Sequence, residues 1–129
     1  MSTNIGDNFE KGTISAIAGE SEAENIEFNP HPKFKGVFVK HLVTGKTTDN
    51  QISCHLVKVE PFCSLDTHVH EKNLEVHEII DGDGTFYIGG NSFQYQRDSI
   101  GVIPANVAHK VNAGENGLYI LAKFTPALL

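Results

Sequence analysis

The sequence HVHEKNLEVHEIIDGDG, residues 68–84, combines metal-binding side chains with the pattern of a β-strand. Only one residue separates His68 from His70, so in an extended strand both imidazoles point to the same face. Glu75 follows five residues after His70, and another histidine, His109, lies beyond a glycine-rich segment. Imidazoles and a carboxylate together form a suitable shell for a divalent transition metal. This stretch therefore predicts both a β-fold and a metal site.

Short β-prone segments recur along the chain after residue 36, with turn residues between them. They are residues 36–39, 52–59, 76–80, 85–88, 92–95, 100–103, 110–111 and 118–124. Gly89-Gly90-Asn91 and the segment 113–117 each predict a hairpin turn between two strands. We see no helical pattern of ten or more residues. Many short strands at close spacing predict an all-β antiparallel sandwich or barrel.

Size and composition narrow the functional classes. The chain has 129 residues, enough for one domain, and no apolar run reaches the roughly 18 residues that span a bilayer. The N-terminus lacks the pattern of a signal peptide, so we expect a cytoplasmic protein without a membrane partner. The net charge is −6 and no basic stripe is present, which excludes a typical nucleic-acid binder.

Two segments of the chain resemble the paired motifs of the cupins, a family of small β-barrel proteins. The first cupin motif has the form G-x5-H-x-H-x(3,4)-E-x6-G, and this sequence matches it at His68, His70, Glu75 and Gly82. The second has the form G-x5-P-x-G-x2-H-x3-N, and the sequence matches it at Pro104 and His109. The resemblance covers roughly residues 52–124 and bears on fold and metal site rather than on substrate.

The sequence departs from both motifs where the motifs carry glycine. Phe62 and Asp98 stand at the opening positions of the two motifs, and Asn106 replaces the glycine after proline. Asn112 lies one position short of the expected asparagine. Asparagine tolerates the left-handed backbone region, so Asn106 can hold the same turn. The departures concern the backbone and leave the four metal-ligand positions intact.

The resemblance implies an antiparallel double-stranded β-helix, the jelly-roll or cupin barrel. We expect this barrel in residues 31–129, preceded by an N-terminal arm, residues 1–30, that can exchange a strand with a second subunit. A homodimer is expected, with Thr13–Ile17 and Pro126–Leu129 as candidate interface segments, although the tail can also fold back on its own barrel. The implied metal ligands are His68, His70, Glu75 and His109. They would bind one divalent transition metal ion, which could be Fe, Mn, Ni, Zn or Cu.

Several other side chains compete for a place in the site. Glu71 and Glu78 are nearby carboxylates, but strand alternation and family spacing favour Glu75. His77 shares the face of Glu75, and we consider it as a catalytic proton donor, as a partner of a metal ligand, or as a satisfied barrel histidine. Only one of Cys54 and His55 can face the interior. The remaining candidates are His31 and His41, expected at the surface, and three tyrosines among which the sequence does not choose, Tyr87, Tyr95 and Tyr119.

The function that these residues predict is a metal-dependent enzyme acting on a small oxygen-rich molecule. A sugar, an organic acid or an aromatic fits, with isomerase, lyase or dioxygenase chemistry. The alternative is a non-catalytic barrel that binds or senses a small sugar or acid. Leu74 stands where an HExxH metalloprotease needs its second histidine, and the sequence has no dinucleotide fingerprint, EF-hand or serine-nucleophile motif.

Overall fold

The computed structural model of the chain describes residues 5–129 and shows an antiparallel jelly roll. A short helix, α1, precedes ten strands in this part of the chain. The bounds are α1 Ile5–Phe9, β1 Thr13–Ala16, β2 Gly19–Glu22, β3 Asn29–Pro30, β4 Val37–Val43, β5 Ser53–Val59, β6 Ser64–His68, β7 Leu74–Ile88, β8 Asn91–Gln96, β9 Ile100–Ile103 and β10 His109–Thr125. The predicted all-β antiparallel fold is confirmed.

Strands β7 and β10 connect the main sheet, because each of them pairs with several other strands. That sheet has eight strands, in the order β3-β4-β5-β10-β7-β8, with β6 also paired to β10 and β9 paired to β7. β10 therefore lies between β5 and β7 over one half of its length and between β6 and β7 over the other. Side chains that alternate along these strands point into a common interior, where valine, leucine, isoleucine and phenylalanine form the core.

The hairpin predicted at residues 113–117 is wrong. β10 runs without a turn from His109 to Thr125, and its pairing with β7 shifts register between Ala113 and Leu118. The segment is a bulge in one long strand. At this crossing a Cβ on Gly82, whose φ is +95°, would lie 2.0 Å from the carbonyl oxygen of Gly117. A glycine-rich segment is compatible with a bulge between closely packed strands as well as with a hairpin turn that reverses the chain. Only the long-range strand pairing distinguishes the two.

The three residues that replace motif glycines keep the backbone conformation that favours glycine. Phe62 has φ 61°, Asp98 has φ 78° and Asn106 has φ 65°. All lie in the left-handed region, which is unfavourable for a residue with a Cβ and least so for Asn and Asp. The turns of both motifs are therefore retained in spite of the substitutions, and Phe62 carries the largest conformational cost.

The N-terminal segment packs onto its own chain. The predicted strand Thr13–Ile17 forms a hairpin, because β1 pairs with β2 in a separate two-stranded sheet. The buried Lys40 ammonium on β4 donates to the carbonyl oxygens of Glu10, at 2.7 Å, and Ala23, at 3.0 Å. Strand exchange by residues 1–30 stays a prediction, and residues 1–4 of that arm lie outside the described part.

The tail Pro126–Leu129 folds back against its own barrel. The Ala127 N–H donates to the Asn50 carbonyl at 3.0 Å, and the Leu128 N–H donates to Ser53 Oγ at 2.8 Å. This arrangement agrees with the alternative that the sequence left open for the tail, while a homodimer stays a prediction. None of the helices in residues 5–129 is long and apolar enough to cross a bilayer.

The strained turn at Phe62 generates a stability prediction. We expect Phe62→Gly to have a free energy of unfolding about 1 kcal/mol higher than that of Phe62→Ala, because only the alanine retains a Cβ in the left-handed region. The side chain is 77% exposed, so either substitution removes little packing. Urea denaturation of both variants measures the difference. Equal stability of the two would show that the turn does not require this conformation.

Candidate metal centre

Three strands bring the four predicted ligands together. His68 ends β6, Glu75 is the second residue of β7, and His109 begins β10. β6 and β7 both pair with β10, and His68 is the direct register partner of His109. His70 lies in the segment between β6 and β7. Glu75 and His109, 34 positions apart in sequence, are not register partners, because Glu75 lies opposite Phe124 and His109 lies opposite Ile88. The folding of the sheet around its interior brings them within 3.3 Å of each other.

The four side chains form a compact cluster. One ligand atom from each of His68, His70, Glu75 and His109 lies within 4.8 Å of the others. Glu75 is 4% exposed and His109 is 2% exposed, whereas His68 and His70 are half-buried. The cluster thus has a closed inner side and an accessible outer side, which leaves room for a ligand beside a bound ion.

Backbone carbonyls fix the orientation of two of the imidazoles. The Nδ1–H of His68 donates to the carbonyl of Asp66 at 2.7 Å, and the Nδ1–H of His109 donates to that of Val107 at 3.0 Å. With the proton at Nδ1, the lone pair is at Nε2 in each ring. Metal-binding histidines are commonly oriented in this way, by a hydrogen bond from the ring nitrogen that does not bind the metal.

The contact between Glu75 and His109 fits a cation. Glu75 Oε1 lies 3.3 Å from His109 Nε2, and His70 Nε2 lies 3.7 Å from the same oxygen. Glu75 Oε1 and His109 Nε2 are both buried, and neither has a hydrogen-bond partner in residues 5–129. Two buried acceptors that face each other are costly unless something positive lies between them. A divalent metal ion satisfies both atoms and suits the nitrogen and oxygen donor set.

The protonation of the cluster follows from burial and from these contacts. Burial alone would raise the pKa of Glu75, but the contacts with His109 and His77 outweigh it and hold that pKa well below the usual range. Burial lowers the pKa of both His68 and His70, which keeps their rings neutral and able to bind metal. For His109, the contact with the carboxylate outweighs burial and raises the pKa. This direction favours a proton on His109 when no metal is bound.

A hydrogen-bond relay holds the second oxygen of Glu75. His77 Nε2 donates to Glu75 Oε2 at 2.8 Å, and the Tyr95 hydroxyl donates to His77 Nδ1 at 3.0 Å. His77 and Tyr95 are each 2% exposed. A Cβ on Gly101 would lie 1.8 Å from the Tyr95 hydroxyl oxygen, so the glycine makes room for this relay. The relay leaves Oε1 of Glu75 directed at the cluster.

The relay involves two residues whose roles the sequence left open, His77 and Tyr95. Both ring nitrogens of His77 are engaged, which favours a partner of a metal ligand among the roles considered for it. A catalytic role for His77 stays a prediction. Sequence reasoning did not choose Tyr95 among the tyrosines. The only available signal was strand alternation on β8, which is too short to distinguish its two faces reliably.

The competing carboxylates lie away from the cluster. Glu71 is exposed, and Glu78 forms an ion pair with Lys123 on the neighbouring strand. Both observations agree with the preference for Glu75. His55, rather than Cys54, is the fully buried member of its pair, with 1% exposure.

A cavity of about 340 Å³ opens beside the cluster. It is lined by mostly apolar residues and by further histidines, namely Asn29, Pro30, His31, Pro32, Val39, His41, His55, Val57, Leu65, His68, His70, Glu75, His77, Ile120, Ala122, Phe124, Leu128 and Leu129. His31 and His41, expected at the surface, are half-buried and line this cavity. His41 lies on β4, which pairs with β5, and His31 lies between β3 and β4, a long-range placement that local sequence does not show.

The relay to Glu75 predicts a metal affinity that depends on Tyr95. We expect Tyr95→Phe to weaken metal binding by about tenfold, because His77 loses its donor and no longer fixes the carboxylate. Tyr87→Phe is the matched control, since Tyr87 is 39% exposed. Competition with a fluorescent chelator measures both affinities. Equal affinities for the two variants would show that the relay does not support the cluster.

Comparison with known proteins places this geometry in a family. A model of the cupin domain matches residues 55–122, which is more than half of the chain. A search of curated proteins gave no match.

Solved structures share the fold at low sequence identity. A predicted oxalate decarboxylase from Thermotoga maritima is 22% identical, with a TM-score of 0.73 over 80% of this chain and 95% of that one. KdgF from Halomonas sp. is 16% identical, with a TM-score of 0.70 over 80% of this chain and 90% of that one. An RmlC-like cupin from Shewanella frigidimarina is 16% identical, with a TM-score of 0.71 over 84% of this chain and 90% of that one. These likenesses show the shared fold, and the match of the domain model to more than half of the chain shows that the chain belongs to the cupin domain family.

Proposed function

We propose that this cupin is a metal-dependent enzyme that acts on a small oxygen-rich molecule. His68, His70, Glu75 and His109 would hold one divalent transition metal ion through three nitrogens and one oxygen. The observation that carries this proposal is the buried pair of unpartnered acceptors, Glu75 Oε1 and His109 Nε2. A solvated cluster would not leave these two atoms buried and facing each other.

The metal ion would supply a Lewis acid with an open position, able to polarise a carbonyl or hydroxyl oxygen. The protein's own contacts hold the proposed ligands in position. Glu75 is fixed through His77, while His68 and His109 are fixed through backbone carbonyls. The donor set has no thiolate, which suits Fe, Mn, Ni, Zn or Cu and leaves the choice to elemental analysis.

The cavity limits the ligand to a small molecule of low charge. Its volume suits a compact ligand, and none of the residues in 5–129 that line it is Lys or Arg. A ligand carboxylate or enolate would therefore rely on the metal ion and on histidines for its partners. The likeness to a predicted oxalate decarboxylase supports an organic acid as the first substrate class to assay. Sugars and aromatic diols follow, with isomerase, lyase or dioxygenase chemistry.

One observation favours the alternative, a non-catalytic binding or sensing barrel. His77 is the titratable group nearest to the cluster that is not itself a proposed ligand, and both of its nitrogens are engaged by Glu75 and Tyr95. A reaction that moves a proton therefore needs another group in the cavity wall. Without such a group, the metal and the cavity would bind a ligand and leave it unchanged.

The metal site is tested by three matched substitutions. We expect protein purified without chelator to contain about one transition metal ion per chain, and Glu75→Gln to lose it. Glu71→Gln and Glu78→Gln should keep the metal, because these carboxylates lie outside the cluster. Elemental analysis of the four proteins, with His109→Ala as a further loss variant, measures the content. Absence of metal from the parent after reloading with each candidate ion would disprove the proposal.

The enzyme is then distinguished from the binding barrel by turnover. Protein carrying the identified metal is assayed against panels of small hydroxy and keto acids, sugars and catechols, with Glu75→Gln as the inactive reference. We expect turnover of at least one class that Glu75→Gln abolishes. Binding of a panel member by calorimetry with no chemical change would support the sensing barrel instead.

A further inference from the structure

A second pair of histidines lies in the cavity wall, outside the metal cluster. His41 on β4 and His55 on β5 are direct register partners, and their Nδ1 atoms lie 2.8 Å apart. At that distance one Nδ1 must carry a proton and donate to the other. The two rings are therefore joined through one shared hydrogen, and their planes are almost perpendicular, at 87°.

His55 is fully engaged and fixes the orientation of His41. Its other nitrogen, Nε2, lies 2.8 Å from Ser53 Oγ, and that oxygen accepts a hydrogen bond from the Leu128 N–H at 2.8 Å. With 1% exposure, His55 cannot meet a ligand through either nitrogen. His55 instead holds the ring of His41 in position. The third residue of a catalytic triad orients the general base in the same way.

His41 has one nitrogen that is not engaged. Its Nδ1 faces His55, whereas its Nε2 has no hydrogen-bond partner in residues 5–129. The side chain is half-buried and lines the same cavity as Glu75 and His70. An imidazole with one nitrogen fixed and the other free at a cavity wall has the arrangement required of a general base or acid.

His31 also lines the cavity but lacks this property. Its Nδ1 accepts from the backbone N–H groups of Lys33 and Phe34, at 3.1 and 3.3 Å. An Nδ1 that accepts places the proton of the neutral ring on Nε2, which can then donate but cannot take up a proton. His41 has no such restriction, because its Nδ1 can act as the donor to His55.

We propose that His41 exchanges a proton with a ligand held at the metal cluster, and that His55 and Ser53 position its ring. The inference rests on the proposed function, since it requires a ligand beside the metal. In the step, a weakly acidic O–H or C–H bond of the ligand breaks, an N–H bond forms at His41 Nε2, and the electron pair stays on the ligand. The imidazolium then donates from Nδ1 to His55. Return of the proton from Nε2 to the ligand completes an isomerisation or a hydrogen exchange.

The electrostatic surroundings agree with a neutral base. Burial lowers the pKa of His41, and burial together with His41 lowers the pKa of His55 to about 4. Both rings are therefore uncharged at neutral pH. The titratable groups that line the same cavity are His31, His68, His70, Glu75 and His77, and Glu75 is the only acid among them.

The wall also indicates the class of ligand. Val39, Val57, Ile120 and Phe124 line the cavity together with the cluster and His41. A ligand that meets both the metal and His41 therefore carries metal-binding oxygens beside an acidic hydrogen and presents an apolar body to these side chains. Hydroxy acids, keto acids and aromatic diols have this character, whereas a polyhydroxylated sugar would leave hydroxyl groups unpaired.

The test uses 4-nitrocatechol as the probe, because its absorbance distinguishes the monoanion from the dianion. The full chain is loaded with Zn²⁺, which has no redox chemistry, and the bound probe is titrated with pH. We expect His41→Gln to raise the pH at which the bound probe loses its second proton by about one unit, because the neighbouring base is gone. His41→Phe, which keeps a ring of similar shape, should show the same shift, and the control His31→Gln should not.

Each outcome separates this inference from the function on which it rests. Failure of the parent to bind Zn²⁺ would overturn the proposed metal site and this inference with it. Zn²⁺ bound without the probe would overturn the inference alone, since it shows no ligand space beside the ion. Probe titrations that coincide in the parent, His41→Gln and His41→Phe would likewise leave the metal site standing and remove His41 from its chemistry. An equal shift in His31→Gln would show a general effect of the cavity and also overturn the assignment.

Discussion

The contact between Glu75 and His109 is the constraint on which the rest of the site depends. A carboxylate oxygen and an imidazole nitrogen face each other at 3.3 Å, both buried and both without a hydrogen-bond partner in the described chain. Such a pair is costly when nothing positive lies between its members. The folded chain therefore needs either a proton on His109 or a metal ion there, and these compete. Metal binding should accordingly weaken as the pH falls, because protonated His109 and a bound metal ion exclude each other.

The barrel keeps this contact in place from several directions. β10 places His109 directly opposite His68 of β6, and Glu75 of β7 meets His109 across the interior at 3.3 Å. Behind Glu75, the relay from Tyr95 through His77 fixes the carboxylate, and Gly101 leaves the space that the tyrosine hydroxyl occupies. Mutual support of this kind gives a metal site its geometry before the ion arrives.

The lining of the cavity beside the cluster combines apolar side chains with two groups of polar ones. The cluster is one polar group, and His41, supported by His55 and Ser53, adds a second polar group to the wall. A base in that wall would remove the main objection to an enzyme, namely that His77 has no free nitrogen. It would also let one metal-bound ligand meet a Lewis acid and a proton acceptor together, which is the requirement for enolisation or isomerisation of an oxygen-rich molecule.

Local sequence determined the strand periodicity and the spacing of the four candidate ligands, because side-chain alternation in a strand follows from backbone geometry alone. Comparison with the cupin motifs identified Phe62, Asp98 and Asn106 as replacements of motif glycines and predicted a left-handed turn for Asn106, and in the structure all three adopt that conformation even though each carries a Cβ. Tertiary structure alone decided whether residues 113–117 reverse the chain or form a bulge, since that depends on whether β7 is present along both halves of β10. It alone decided that Tyr95 reaches His77 and that His41 and His31 enclose the cavity. Those contacts join residues distant in sequence, and their energies arise only once the strands have paired.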